Sequence, residues 1–466
     1  MRRWTKCGLF ACLLAAFGCG KAQDISVGET PPTLQLARCY GEDTRCVDPP
    51  AREPLTSQPL EATPCVPAQG VLRTERLWQR EAGLSCGAEG ECYVHQWEVA
   101  SDGSVWGASS VASVDQNSLS VTAFLVHYLP DGRIETERVI DCAHRPVLEP
   151  TPFVSRVNLK YSEGVTLTTD EQAHAVVGFG ASSAAQDPPR IVVYDHTATR
   201  VGEPIEILGL DDEYYLSFAR GMAPELTLLG VPYPSKSASA VPTEPEAVET
   251  KLARLSANLR PVWVQTRSSV EPVYDDSYSE ADARPSVDGH GILHAVSSHA
   301  EPPDVDELPR IDWYQFDHEG NVIAVRQVDE VSLAPQVKWD REGNLIALQY
   351  ADSRGTTTQH ADVRKISPDG QRIWARTIEL ESEDAANVYR MLALALDPDG
   401  NIYFTQNRND RQDIMLYRID ADGAHCASAP IPESALGPVT WLAYFDGTLY
   451  HGMTGGRQTS LGRLQL

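Results

Sequence analysis

Positive charge is scarce in this chain. Of 466 residues only 39 are Lys or Arg, against 65 Asp or Glu, which gives a formal net charge of −26 and a pI near 4.8. Neutralising a phosphate backbone needs the opposite balance, so no nucleic-acid partner is expected. Long apolar runs are lacking too. Beyond the N-terminal leader no stretch approaches the roughly 18 apolar residues of a membrane helix. No Cys-x-x-Cys pair exists and no His partners follow the cysteines, which argues against a zinc site. The Gly-x-Ser-x-Gly elbow, His-Glu-x-x-His, the P-loop and the dinucleotide fingerprint are all missing. Their absence lowers the expectation of an enzyme without excluding one, because a site assembled from scattered residues leaves no local motif. With 33 Gly, 32 Pro and 42% hydrophobic residues the chain is neither collagenous, generally disordered nor a coiled coil. At roughly 150 residues per domain, length alone suggests about three domains.

What is present begins with an export signal. Arg2, Arg3 and Lys6 precede the apolar run Gly8 to Gly18, which is too short to span a bilayer and reads as a cleaved signal peptide over residues 1–18. The run Ala16-Phe17-Gly18-Cys19-Gly20 resembles a bacterial lipobox, with Ala16 where that family favours Leu. The resemblance implies diacylation of Cys19 and a membrane anchor; ordinary secretion is the alternative. Removal of the leader deepens the formal charge to −29. Seven cysteines remain beyond Cys19, five of them before residue 93, as suits local disulfides in an oxidising compartment. Proximity in sequence favours Cys39 with Cys46 and Cys86 with Cys92, while the pairing of Cys65, Cys142 and Cys426 stays open.

Self-comparison decides the fold class. An apolar-alternating run, an acidic-glycine turn and a second alternating run recur as WEVASDGSVWGA from Trp97, PSVDGHGILHAV from Pro285, VKWDREGNLIAL from Val337, LALDPDGNIYFT from Leu394 and LAYFDGTLYHG from Leu442. Weaker copies stand at Leu167 and around Arg220 and Gly221. A second unit follows, as in VHYLPDG at Val126, WYQFDHEG at Trp313, VRKISPDG at Val363 and LYRIDADG at Leu416, and then another strand-like run. Period-2 alternation marks half-buried strands, and the Asp-Gly steps supply the positive φ of tight turns. The turn glycines Gly291, Gly343, Gly400 and Gly447 are spaced by 52, 57 and 47 residues. Four short strands per roughly 50 residues is the period of a propeller blade, whereas tandem sandwiches would need about 100. The expected fold is all-β: a β-propeller of seven four-stranded blades over 70–466. The last copy lacks a fourth strand, and GVLRTERLWQR from Gly70 looks like the missing one, so residues 70–80 are expected to close the ring.

The copies at 337–380 and 391–430 resemble the repeats of bacterial secreted seven-bladed β-propellers. Asp397, Gly400, Asn401, Tyr403, Arg418, Asp422 and Gly423 carry the resemblance, as do Asp340, Gly343, Asn344, Lys365, Asp369, Gly370 and Trp374. It implies a fold and an exported location but no single chemistry. Segment 19–69, rich in proline, resembles the spacer that lifts such domains from an anchoring membrane.

In a meander the first-to-second and third-to-fourth turns of every blade emerge on one face and the remaining connections on the other. The first set is short and Gly-punctuated; the second is long and varied, and is where binding is expected. It carries Asp211, Asp212, Tyr214 and Tyr215, then Tyr274, Asp275, Asp276 and Tyr278, then Glu381, Glu383 and Asp384. Carboxylates beside tyrosines suit Ca²⁺, a sugar or a cationic ligand, though a plain solvated acidic surface has the same composition. The insertion 231–249 reads as a flexible Pro/Ser/Ala loop that could serve as a lid or docking tongue. His290, His294 and His299 read as turn and surface histidines. Asp397 and Asp420 invite a calcium reading but lack the remaining EF-hand ligands, and Trp263 and Trp374 read as packing between blades. The expected protein is a monomeric, surface-tethered binding or scaffold module at the cell envelope or outer membrane, or else periplasmic or secreted. Its partners would be a lipid anchor and an envelope protein, glycan or cation, with no cofactor unless Ca²⁺. The alternative is a metal-dependent propeller hydrolase or lactonase with its site over the central channel.

Overall fold

The computed structural model describes residues 33–35, 51, 53–81, 93–115, 118–146, 165–179, 190–208, 214–220, 226–232, 247–256, 259, 261–270, 286–299, 310–328, 336–352, 359–380, 393–408, 413–431, 439–455 and 458–466. The alternating runs are strands and the acidic-glycine steps are turns. Sheet I holds Tyr93–Val99, Val105–Asp115, Ser118–Tyr128 and Ile134–Pro146. Sheet II holds Val165–Thr169, Ala175–Phe179, Arg190–Tyr194 and Arg200–Leu208; sheet III holds Tyr214–Arg220, Leu226–Pro232, Ala247–Leu255 and Pro261–Val270. Sheet IV is Ser286–Val287, Leu293–His299, Arg310–Phe316 and Val322–Val328, and sheet V is Gln336–Trp339, Leu345–Asp352, Gln359–Ile366 and Arg372–Leu380. Sheet VI is Leu394–Leu396, Ile402–Arg408, Asp413–Ile419 and Cys426–Ile431. Sheet VII takes Val439–Phe445, Thr448–Gly455 and Gln458–Gln465, then Glu75–Glu81 as its fourth strand.

Each sheet is an antiparallel meander, and the first strand of each touches the first strand of the next, from I through VII and back to I. The fold is an all-β propeller with four-stranded blades. Where side chains are described, alternation buries them between neighbouring sheets, so the core lies between sheets. Trp106, Leu125, Leu167, Val177 and Tyr194 fill the gap between sheets I and II, and Ile346, Val363, Phe404 and Tyr417 that between V and VI.

Basic side chains tie the outer half of one sheet to the turn carbonyls of the next. Arg254 donates to the His318 carbonyl at 2.8 Å, Arg326 Nε to that of Pro368 at 2.9 Å and Arg376 Nε to that of Gly423 at 2.6 Å. Trp374 adds a second tie between sheets V and VI, its Nε1 donating to the Ala421 carbonyl at 3.2 Å. A Cβ on Gly423 would fall 2.8 Å from the Trp374 ring, and φ there is +71°, so glycine is required twice over. Trp374 is thus an inter-blade packing residue, as expected; the side chain of Trp263 lies outside the described residues.

Closure repeats this device. Trp78, on the N-terminal strand, donates from Nε1 to the Pro130 carbonyl at 3.0 Å, where Arg463 Nη1 also donates at 2.9 Å. Tyr450 reaches the Gly103 carbonyl at 2.9 Å. Residues 75–81 therefore supply the outer strand of the last sheet, paired antiparallel with Gln458–Gln465.

The segment expected to be a free spacer is, in its described parts, seated on the rim. Thr33–Gln35, Glu53–Pro54, Thr63–Pro64 and Ala68–Gln69 pair in parallel with the outer strands of sheets II, IV, V and VI. An outer strand presents unpaired N–H and C=O groups that an extended chain can satisfy, and proline is tolerated where no further strand follows. Proline content, read as a mark of a linker, suits an edge strand equally. A disulfide joins Cys65 in this strap to Cys426 on sheet VI, with a Cα–Cα distance of 6.1 Å. Cys39, Cys46, Cys86 and Cys92 lie outside the described residues, as does Cys19.

Candidate functional site

The two ends of the ring differ. The end formed by the first-to-second and third-to-fourth turns is described except in sheet III, where residues 221–225, 257–258 and 260 lie outside the described residues, and it is tightly built from acidic side chains. In most of the described turns an aspartate folds back on the backbone that follows it. Asp397 Oδ1 accepts from the Asp399 and Asn401 amides at 3.0 and 2.9 Å, and Oδ2 accepts from Asn401 Nδ2 at 2.7 Å and from the Tyr403 hydroxyl at 3.1 Å. Burial, with the Asp397 charge beside it, raises the Tyr403 phenol. Asp340 binds the Glu342 and Asn344 amides in the same way, and its Oδ2 also lies 3.0 Å from Lys365 Nζ in a nearly solvent-free pair. These are side-chain-to-backbone turn bonds, the economical reading of such motifs. Among the described residues no group of three or more His, Cys, Asp or Glu is placed to hold a metal ion.

The most developed polar cluster at this end joins Asp288, His294 and Trp313. Trp313 Nε1 donates to His294 Nδ1 at 3.1 Å, and His294 Nε2 donates to Asp288 Oδ2 at 3.0 Å. An indole is a donor only, so the tautomer is fixed: Nδ1 accepts and Nε2 carries the hydrogen. His294 is 0% exposed and stacks on Trp339 of sheet V. Asp288 also accepts from the His290 and Ile292 amides. Burial pushes the Asp288 carboxyl up, but the bond from His294 and the two amides outweigh it and hold the group below its usual value. Gly343 of sheet V makes room: a Cβ there would fall 2.5 Å from Asp288 Oδ2. His294 was expected as a turn or surface residue, and here the structure corrects the sequence. It is a buried tie between sheets IV and V, while His290 is exposed and the side chain of His299 lies outside the described residues. The signal that could have found this tie is register. His294 pairs with Gln315 and Trp313 with Val296, so the histidine and the indole sit diagonally on one face.

At the other end the strands emerge from a rigid frame, and the acidic candidates fall on the connections between them. Tyr214 and Tyr215 open the first strand of sheet III, paired with Pro232 and Val231, and their side chains lie outside the described residues. Asp211, Asp212, Tyr274, Asp275, Asp276 and Tyr278 lie outside the described residues altogether. The strands that these segments join are nevertheless placed. Leu208 and Tyr214 end and begin strands at the same end of sheets II and III, Pro232 and Ala247 do so within sheet III, and Val270 and Ser286 do so between sheets III and IV. Both Asp/Tyr segments and the Pro/Ser/Ala insertion therefore belong to connections that leave from or arrive at one sheet.

No protein family and no curated protein matches the chain. Among solved structures it is similar to the polysaccharide lyase Uly1, at 10% identity and a TM-score of 0.43 over 76% of this chain and 89% of that one. It is similar also to the β-propeller domain of the Trilobed protease from Pyrococcus furiosus, at 11% identity and a TM-score of 0.41 over 80% and 95% of the two chains. A third is an oligogalacturonate lyase in complex with manganese, at 9% identity and a TM-score of 0.40 over 81% and 96%. Such identities speak to fold alone, and the propeller is read from the chain's own sheet order.

Proposed function

We propose that this protein is an exported, membrane-anchored, seven-bladed β-propeller lipoprotein that binds a protein, glycan or cation at the cell envelope. The closed ring of seven sheets supports the blade count. The leader and the lipobox-like run support export and acylation at Cys19. One observation carries the binding reading: the two segments that combine aspartate with tyrosine and the longest Pro/Ser/Ala insertion all connect strands at the same end of sheet III. Carboxylates and phenols gathered at one end of a rigid frame suit a sugar through hydrogen bonds and ring stacking, or a cation through oxygen ligands.

A propeller supports binding and catalysis alike, so the test must separate them. The full chain, purified from calcium-containing buffer, is assayed for metal content, screened on a glycan array and offered ester and lactone panels. Retention of a glycan or of exchangeable Ca²⁺, weakened at least tenfold by Asp211→Ala or Asp275→Ala with no turnover, is the expected result. One tightly held divalent ion per chain together with hydrolysis would replace this reading with that of a metal-dependent hydrolase. Empty arrays, pull-downs and assays would leave an envelope scaffold.

A further inference from the structure

The strap on the rim is held in an uneven way. From residue 53 to residue 71 no described side chain is buried, and the strand pairs it makes with sheets IV, V and VI are two residues long. Its other attachments are hydrogen bonds and an ion pair in exposed or partly buried positions, among them those of Arg372 to Ser57, Arg364 to the Leu60 carbonyl and Thr63 to the Ala375 carbonyl. The Thr56 amide donates to the Gly370 carbonyl at 3.0 Å and the Cys65 amide to that of Thr377 at 2.8 Å. Arg376 Nη1 donates to Thr63 Oγ1 at 2.6 Å, and Arg326 pairs with Glu53 at 2.7 Å, with the Glu53 side chain 57% exposed. Segments with so little buried apolar surface open locally at low cost. Burial resumes at Leu72, and from there the chain is fastened by Glu75–Glu81 in sheet VII and by Trp78 on Pro130. Ring closure thus uses residues beyond the strap, and the strap's one covalent tie to the rim among the described residues is Cys65–Cys426.

We infer that this disulfide is a redox latch. While it is intact it keeps the strap as a fifth strand on sheets IV to VI. When a dithiol reduces it, two electrons and two protons pass to the two sulfurs, the S–S bond breaks, the dithiol becomes a disulfide, and the strap frays from its N-terminal side. The ring stays shut because its closing strand is untouched. The outer edges of Val322–Val328, Arg372–Leu380 and Cys426–Ile431 then become open edges able to accept another strand. This inference does not depend on the ligand proposed above and fails or stands separately from it.

Native-state hydrogen exchange on the full chain tests it, comparing the oxidised protein with a Cys65→Ser/Cys426→Ser variant and with wild type treated with dithiothreitol. The amides of Thr56 and Cys65 are expected to exchange at least tenfold faster without the bond. Amides in the pair of Gln458–Gln465 with Glu75–Glu81, and those within Leu345–Asp352, should keep their protection. Unchanged protection of Thr56 and Cys65 would overturn the latch, since the strap would be held without it. Loss of protection in the closing pair together with the strap would overturn it as well, since the bond would then be a clasp of the whole ring. Treating the folded wild type with reductant keeps the result readable should the double variant fail to fold.

Discussion

His451 offers the sharpest quantitative test of the packing between sheets VI and VII. Its imidazole is 0% exposed, and neither ring nitrogen has a hydrogen-bond partner among the described residues. Burial, with the charge of Arg76 as a minor contributor, pushes its pKa from 6.5 down to about 4. The unfolded chain takes up the proton as pH falls through 6.5, while the folded protein refuses it until about 4. Acid therefore favours the unfolded state throughout that window, and the native state is fully stable with respect to this group only above it. At 1.36 kcal/mol per unit the penalty reaches about 3 kcal/mol by pH 4. For a ring of roughly 400 residues with an unfolding entropy near 2.1 cal/mol/K per residue, that is about 4 °C in Tm. Thermal melts from pH 7.5 to 4 of wild type and His451→Leu should diverge by this amount, the variant losing less. Parallel curves would refute the assignment. The packing has its own check. A Cβ on Gly462 would lie 2.2 Å from His451 Cε1, so Gly462→Ala should cost about 1–3 kcal/mol, and the added loss should largely vanish in the His451→Ala background.

Other consequences can be measured in the same preparations. The Cys65–Cys426 bond closes a loop of sequence separation 361, for which the chain-entropy relation gives an upper figure of about 6 kcal/mol, or about 7 °C in Tm, so the reduced protein should melt lower in calorimetry. Asp288→Ala removes the acceptor of His294 and of two backbone amides in a buried setting and should cost about 2–4 kcal/mol in a chemical melt. The Asp288 carboxyl is held below its ordinary value, so its contribution should persist above pH 4 and fade as pH drops through its folded pKa; that acid limb should be absent in the variant. Cys19→Ser should move the protein out of the membrane fraction, and unchanged fractionation would remove the lipid anchor from the proposal.

Sequence by itself determined what is local and what repeats. Period-2 alternation placed the strands, and Asp-Gly steps such as Asp340 to Gly343 placed the turns, because turn geometry depends on residues four apart. The incomplete last copy also pointed to residues 70–80 as the missing strand, since an open sheet edge demands a partner, and Glu75–Glu81 is the part that pairs there. The tertiary structure alone decided contacts between remote parts. Cys65 meets Cys426 because the strap follows the circumference to sheet VI, and no spacing in the chain encodes that path. His294 looked like one of three histidines around a turn, and only the register of Leu293–His299 against Arg310–Phe316 turned it inward onto Trp313. The same holds for the acidic segments: composition marked 211–215 and 274–278 as alike, but it took the sheet order to put both on connections to sheet III. Patterns of hydrophobicity report which face of an element is buried, whereas which elements face each other is settled only when the ring closes.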